Sequence, residues 1–219
     1  ARMSFPRRLF IAAAALFALG ACQKSGAGGA APAGGDMIMG QETAPITIIE
    51  YASTTCPHCK HFHETVMPGL KANYIDPGKV KFIFREFPTP PEAIAVAQFQ
   101  IARCAGKDKY FALLDTFFKE QESIFQQAQG PTGAKPALLA IARQAGMSEA
   151  DFETCIADTK AQQAILDTAK AGMDKYKITG TPTLVIDETP MPSDKNIEAY
   201  NIEGLSKILD AKLAAKGAK

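Results

Sequence analysis

Three short runs along the chain are apolar and β-branched without helical spacing. Ile46-Thr47-Ile48-Ile49-Glu50-Tyr51-Ala52 reads as a strand buried on both faces. Val80 to Glu86, after the turn Asp76-Pro77-Gly78, puts Val80, Phe82 and Phe84 on one face of a second strand. Thr183-Leu184-Val185-Ile186 is a third, with Ile197–Tyr200 a candidate partner strand beyond a polar loop. Elsewhere the apolar period is helical. A helix begins near Cys56-Pro57, after Ser53-Thr54-Thr55 with its N-cap chemistry, and turns Cys59, Phe62, Val66 and Leu70 inward. Pro68-Gly69 kinks or ends it. Ile94, Ala97, Ile101 and Cys104 share one helical face, and Tyr110 to Phe125 continues as helix. Gln126 to Lys135, with Gly130, Pro131 and Gly133, reads as a loop. Pro136 to Ala145 closes at Gly146; Ser148 caps the next helix, with a Met147–Phe152 staple. Thr159–Tyr176 and Ile202–Leu213 complete the pattern, an α/β sheet interrupted by a block of helices.

Composition supports a globular reading. Of 219 residues 47% are hydrophobic and 21% charged, which excludes a disordered chain. Five cysteines are too few for a small disulfide scaffold, and a net charge of +1 leaves no basic excess for nucleic acid. The charge is uneven, however. Residues 1–22 carry Arg2, Arg7 and Arg8, no acid, and an apolar run from Leu9 to Ala21, the pattern of a secretory signal; the alternative is a buried N-terminal helix. Leu19-Gly20-Ala21-Cys22 resembles a lipoprotein lipobox, in which Cys22 would be acylated; the alternative is a plain signal peptide with an incidental cysteine. Residues 23–36, rich in Gly, Ala and Ser, then read as a flexible tether. Beyond residue 22 there remain 21 basic and 23 acidic residues, a net charge of −2. The expectation is a periplasmic protein anchored by lipid at Cys22.

The odd cysteine count directs attention to Cys56-Pro57-His58-Cys59, a C-x-x-C at a strand-to-helix junction. A sulfur at a helix N-terminus faces free N–H groups and the positive end of the helix dipole, and both favour thiolate. His58, if protonated or donating, adds to this. Cys59, one turn on, can close a small-ring disulfide and points to the core, leaving Cys56 the exposed member. A stabilised thiolate favours the reduced form, so the disulfide is an oxidant. The alternative, half of a structural zinc site, would need a second ligand pair, and no other C-x-x-C exists. Glu50 lies in an otherwise apolar strand, where a carboxylate is costly unless it works or is paired. His63 shares a helical face with Cys56 and Cys59. It reads as a packing residue, as a tuner or proton relay for Cys59, or as a ligand with both cysteines to copper(I) or zinc. His61 should face solvent. Cys104 and Cys155, on apolar helix faces, form a structural disulfide in an oxidising compartment or remain two buried thiols.

The stretch Glu50-Tyr51-Ala52-Ser53-Thr54-Thr55-Cys56-Pro57-His58-Cys59 resembles the active-site segment of DsbA-type thiol:disulfide oxidoreductases. Gly180-Thr181-Pro182-Thr183, before a strand, resembles the cis-proline loop of the thioredoxin superfamily. The resemblance covers about residues 37–219. It implies a thioredoxin fold with an inserted α-helical domain: residues 37–90 and 177–219 as the two parts of the fold, 91–176 as the insert. It also implies a cis bond at Thr181-Pro182, with Thr181 pairing to substrate backbone and Glu50 moving a proton to or from Cys59. His63 departs from it, since such relatives often have an acid there. Some alphaproteobacterial relatives have a second cysteine pair like Cys104 and Cys155. The implied function is a periplasmic oxidase of reduced or unfolded secreted proteins. It would be monomeric, use no cofactor beyond the redox-active Cys56–Cys59 pair, and be reoxidised by a membrane quinone-linked protein. The alternatives are an isomerase or reductase of the same fold, and a copper- or zinc-binding protein using the Cys/His cluster.

Overall fold

The computed structural model describes residues 35–217. The expected signal, Cys22 and all but the end of the expected tether lie outside the described residues. A five-stranded sheet organises the rest, in the order β1-β3-β2-β4-β5: β1 Met37–Met39, β2 Ile46–Ala52, β3 Val80–Glu86, β4 Thr183–Ile186 and β5 Thr189–Pro192. Only β2 and β3 run parallel; β1, β4 and β5 are antiparallel to their neighbours. The three inner strands are those the apolar runs predict, with the same ends.

Both outer strands differ from expectation. β1 was not predicted: three residues beside a Gly-rich segment give no readable period. Ile197–Tyr200 is a 3-10 turn with Ile197 exposed, and the partner of β4 is β5 instead. β5 contains Pro190 and Pro192, which a strand tolerates at the sheet edge, where no further ladder needs their missing N–H.

Helices cover both faces. On one lie α1 (Pro57–Thr65), the broken continuation α2 (Met67–Leu70) with the π-turn Lys71–Ile75, and α9 (Ile202–Ala215). The sheet's Ile46, Ile48, Ala52, Phe82, Phe84, Leu184 and Ile186 pack there, in one core with Phe99, Tyr110 and Phe117 of the inserted helices. Those helices are α3 (Glu92–Cys104), α4 (Lys107–Lys119), α5 (Gln121–Ala128), α6 (Lys135–Gln144) and α7 (Glu149–Ile156). The continuous helix expected over 110–125 is two, parted at Glu120. Ser148 caps α7 as predicted, accepting from the Asp151 N–H. α8 (Thr159–Tyr176), grouped by sequence with the insert, returns to the sheet. With Tyr176 and Ile178 it covers Ile49, Tyr51, Ile83 and Val185 on the second face. Gly172 permits this approach: a Cβ there would sit 2.5 Å from the Tyr51 ring.

Strand alternation decides what faces α1. Ile48, Glu50 and Ala52 share the face beneath it, so Glu50 is buried under the helix that carries the cysteines. Antiparallel pairing of Tyr51 with Thr183 brings the start of β4, and the segment before it, to the end of β2 from which α1 departs.

Candidate active site

Residues 53–56 join β2 to α1, and side chains from distant elements hold them. Ser53 Oγ lies 2.9 Å from Thr55 Oγ1 and accepts from the Thr89 N–H at 3.2 Å. Thr55 Oγ1 donates to the Thr89 carbonyl at 2.8 Å. Two buried glutamines of the inserted helices complete the clamp. Gln98 of α3 accepts from Thr54 Oγ1 at 2.6 Å, and Gln121 of α5 donates to the carbonyls of Thr54 (2.7 Å) and Cys56 (3.2 Å). The capping expected from Ser53-Thr54-Thr55 is therefore not made. The N-cap of α1 is Cys56, with no side-chain cap bond, and Pro57 opens the helix. The first-turn N–H groups are left to the Cys56 sulfur.

That sulfur and its neighbour diverge in acidity. Cys56 is pulled from 9.0 to about 5, chiefly by a hydrogen bond from the Cys59 thiol, with the Thr181 side chain and the N–H groups of Cys59 and His58 adding against the cost of burial. Cys59 is pushed well above 9.0, first by burial, then by the hydrogen bond and charge of Cys56 and by the charge of Glu50. The structure holds the reduced dithiol. Cys59 is fully enclosed; Cys56, expected to be exposed, is 8% exposed, a narrow opening rather than an open surface. Its thiol reaches the Thr181 carbonyl at 3.4 Å, and the Thr181-Pro182 bond is cis. The His58 side chain is exposed, and its contribution comes from backbone; His61 faces solvent as expected.

Below the cysteines, Glu50 and His63 meet. His63 Nε2 lies 2.8 Å from Glu50 Oε2, both side chains almost wholly buried. The imidazole stacks on Phe118, with ring centroids 4.3 Å apart, and its Nδ1 lies 4.0 Å from Asp115 Oδ1 on α4. Among the described residues no group of three or more His, Cys, Asp or Glu is placed to hold a metal ion, so the Cys56–Cys59–His63 ligand set is not assembled. Cys104 and Cys155 form a disulfide between α3 and α7, with Cα atoms 6.3 Å apart. Cys155 is buried, but Cys104 is exposed, against the expectation of an apolar face.

Sequence reasoning missed Thr89, Gln98, Gln121 and Asp115. Two of them left a signal. Gln98 falls on the apolar face of Ile94 and Ile101, and Gln121 lies between Phe117 and Ile124; a polar residue on a buried stripe needs a partner. Thr89 and Asp115 are matched to the site only by the fold.

The sequence model of the thioredoxin family matches residues 32–211. The chain belongs to the thioredoxin family. Among solved structures this thioredoxin-family chain is similar to alpha-DsbA1 of Wolbachia pipientis, at 27% identity and a TM-score of 0.72, over 84% of this chain and 94% of that one. The structure of BdbD from Bacillus subtilis shares the fold, at 20% identity and a TM-score of 0.64, over 84% of this chain and 96% of that one. A Rickettsia typhi protein named "Putative protein-disulfide oxidoreductase" is 26% identical over 178 residues, 81% of this chain and 62% of its own length. The chain thus spans about three-fifths of the Rickettsia relatives it matches.

Proposed function

We propose that this protein is a thiol:disulfide oxidoreductase whose Cys56–Cys59 disulfide oxidises the thiols of exported proteins. The observation that carries the reading is the split between two adjacent sulfurs, one pulled to about 5 and the other pushed well above 9. A substrate thiolate attacks Cys56 Sγ of the oxidised protein; the Cys56–Cys59 bond breaks, and its electron pair leaves on Cys59, which takes a proton. The substrate's second thiolate then attacks its own sulfur in the mixed disulfide. Cys56 leaves as a thiolate and stays one, because a low-pKa thiol is the better leaving group. Two electrons pass to the dithiol, and the substrate gains a disulfide. Glu50, buried and electrostatically coupled to Cys59, is the group that exchanges the Cys59 proton.

The cis Thr181-Pro182 segment beside Cys56 offers backbone to an extended substrate, and a membrane-bound oxidant regenerates the disulfide. The basic, apolar N-terminus and Cys22 support export and lipid anchoring in the periplasm. Replacing Cys22 with serine in the full chain should abolish incorporation of labelled fatty acid, while a labelled variant would refute the anchor.

Refolding a reduced and a scrambled disulfide protein side by side tests the direction of the reaction. Oxidation of the reduced substrate, lost in Cys56→Ser, is the expected result. Activity on the scrambled substrate alone would make the protein an isomerase, and full oxidation by Cys56→Ser would refute the mechanism.

A further inference from the structure

Exchange at a buried sulfur requires a path for its proton, and this inference rests on the oxidoreductase reading. Cys59 gains a proton when the disulfide opens and must lose it when the disulfide closes, yet its side chain has no contact with solvent. Glu50 is as deeply enclosed, so it can hold that proton but not exchange it with water.

The pair below the cysteines continues outward. Glu50 Oε1 and His63 Nδ1 are both buried without a hydrogen-bond partner among the described residues, a costly state at a site that is merely structural. They are the two ends of one unit, joined through the 2.8 Å contact of Oε2 with Nε2. An imidazole can take a proton at one nitrogen and release another from the second. Nδ1 faces Asp115 Oδ1 at 4.0 Å, and the Asp115 side chain is 58% exposed. Apolar rings wall the rest of the ring: Phe118 stacks on it, and Phe62 and Phe84 meet it edge-on. The other titratable groups in this field are Cys56, Tyr110 and Tyr200, with Lys119 acting on Asp115. Burial pushes both tyrosines upward, so they stay protonated at neutral pH and carry nothing.

We infer that His63 and Asp115 form the proton path between solvent and Glu50, acting on Cys59 as positioning residues through the Glu50 carboxyl. When the Cys59 thiolate is released, Glu50 gives it a proton. His63 passes its Nε2 proton to Glu50 and takes one at Nδ1, delivered at the exposed Asp115 as its side chain swings across the gap. One proton moves and no electron does. Closing the disulfide runs the path backwards and restores the imidazole tautomer. The inserted helices thereby contribute a working group to the thioredoxin-fold site.

The test follows reduced protein with glutathione disulfide by rapid quench from pH 6 to 8. In the first step the Cys56 thiolate attacks, forming a Cys56–glutathione mixed disulfide and releasing one glutathione. In the second, Cys59 gives up its proton, attacks Cys56 Sγ and expels the other. The first step should be unchanged in His63→Gln and Asp115→Asn. The second should slow about tenfold in H63Q and about threefold in D115N near pH 6.5, less than the roughly 10²–10⁴-fold of losing an acid–base group that acts directly, because Glu50 stays beside Cys59 and only its link to solvent is cut. Its near-flat pH profile should also become one that climbs with pH, as hydroxide replaces the path. Second-step rates and profiles like those of the wild type in both variants would overturn the inference while leaving the oxidoreductase reading intact. If H63Q does not fold, D115N, on the surface, decides alone by its profile. A wild-type protein that forms no mixed disulfide at Cys56 would overturn both.

Discussion

A cysteine with a lowered pKa ties the stability of the reduced protein to pH. Cys56 falls from 9.0 to about 5 on folding, so the reduced fold gains from it fully above pH 9 and loses that gain as pH falls through about 5. At pH 7 the contribution is about 3 kcal/mol by linkage. Cys59 is protonated in both folded and unfolded chains below about pH 8 and adds no slope there. The oxidised protein has neither titration. The melting temperature of the reduced form, relative to the oxidised, should therefore rise between pH 5 and 8; a flat difference would contradict the lowered pKa. Alkylation of Cys56 should likewise show a midpoint near 5, and Cys59 should not react. The C-x-x-C at a helix start made the direction legible in the sequence, because the first-turn N–H groups and the second cysteine one turn on are set by the local helix; the Thr181 contribution is set by the fold. The 8% exposure of Cys56 was not legible, since it depends on Thr181 and on the inserted helices.

Elements were readable where a strand is buried on both faces or a helical stripe runs long. β2, β3 and β4 appear with the ends their apolar runs predict, as does α8. Edge elements were not: β5 is half exposed and interrupted by prolines, so its pattern resembles a loop, while Ile197-Glu198-Ala199-Tyr200 alternates without being a strand. The joining of α5 to the β2–α1 connection was equally invisible, and it yields a prediction. Gln121→Leu keeps the volume but removes the side-chain donor to the buried Thr54 carbonyl and one of the two donors to the Cys56 carbonyl, which also accepts from the Lys60 N–H. It should cost about 1–3 kcal/mol in denaturant unfolding and slow exchange at Cys56; an unchanged midpoint would show that the clamp is not structural. Gly172→Ala tests the seat of α8. Its Cβ would press into Tyr51, which Arg85 holds at 2.9 Å, so a loss of about 1–3 kcal/mol is expected, and none if α8 can slide.

Across the whole molecule two cysteine pairs are kept for different work. Cys104–Cys155 ties α3 to α7 across 51 residues of sequence. In the chain-entropy account such a loop is worth about 4 kcal/mol, so Cys104→Ala with Cys155→Ala should lower the unfolding midpoint while thiol oxidation persists. Loss of exchange in that variant at temperatures where it stays folded would instead make the pair part of the reaction. Cys56 and Cys59 sit where the sheet, the cis-proline segment and the inserted helices converge, and the whole arrangement serves to keep one sulfur ionised beside one that is not. The most direct measurement is the absorbance of the Cys56 thiolate near 240 nm in reduced protein, titrated from pH 3 to 9. A single transition near 5, absent in Cys56→Ser and present in Cys59→Ala at a higher pH because the Cys59 donor is gone, is the predicted result. A thiolate that appears only near 9 would contradict the account.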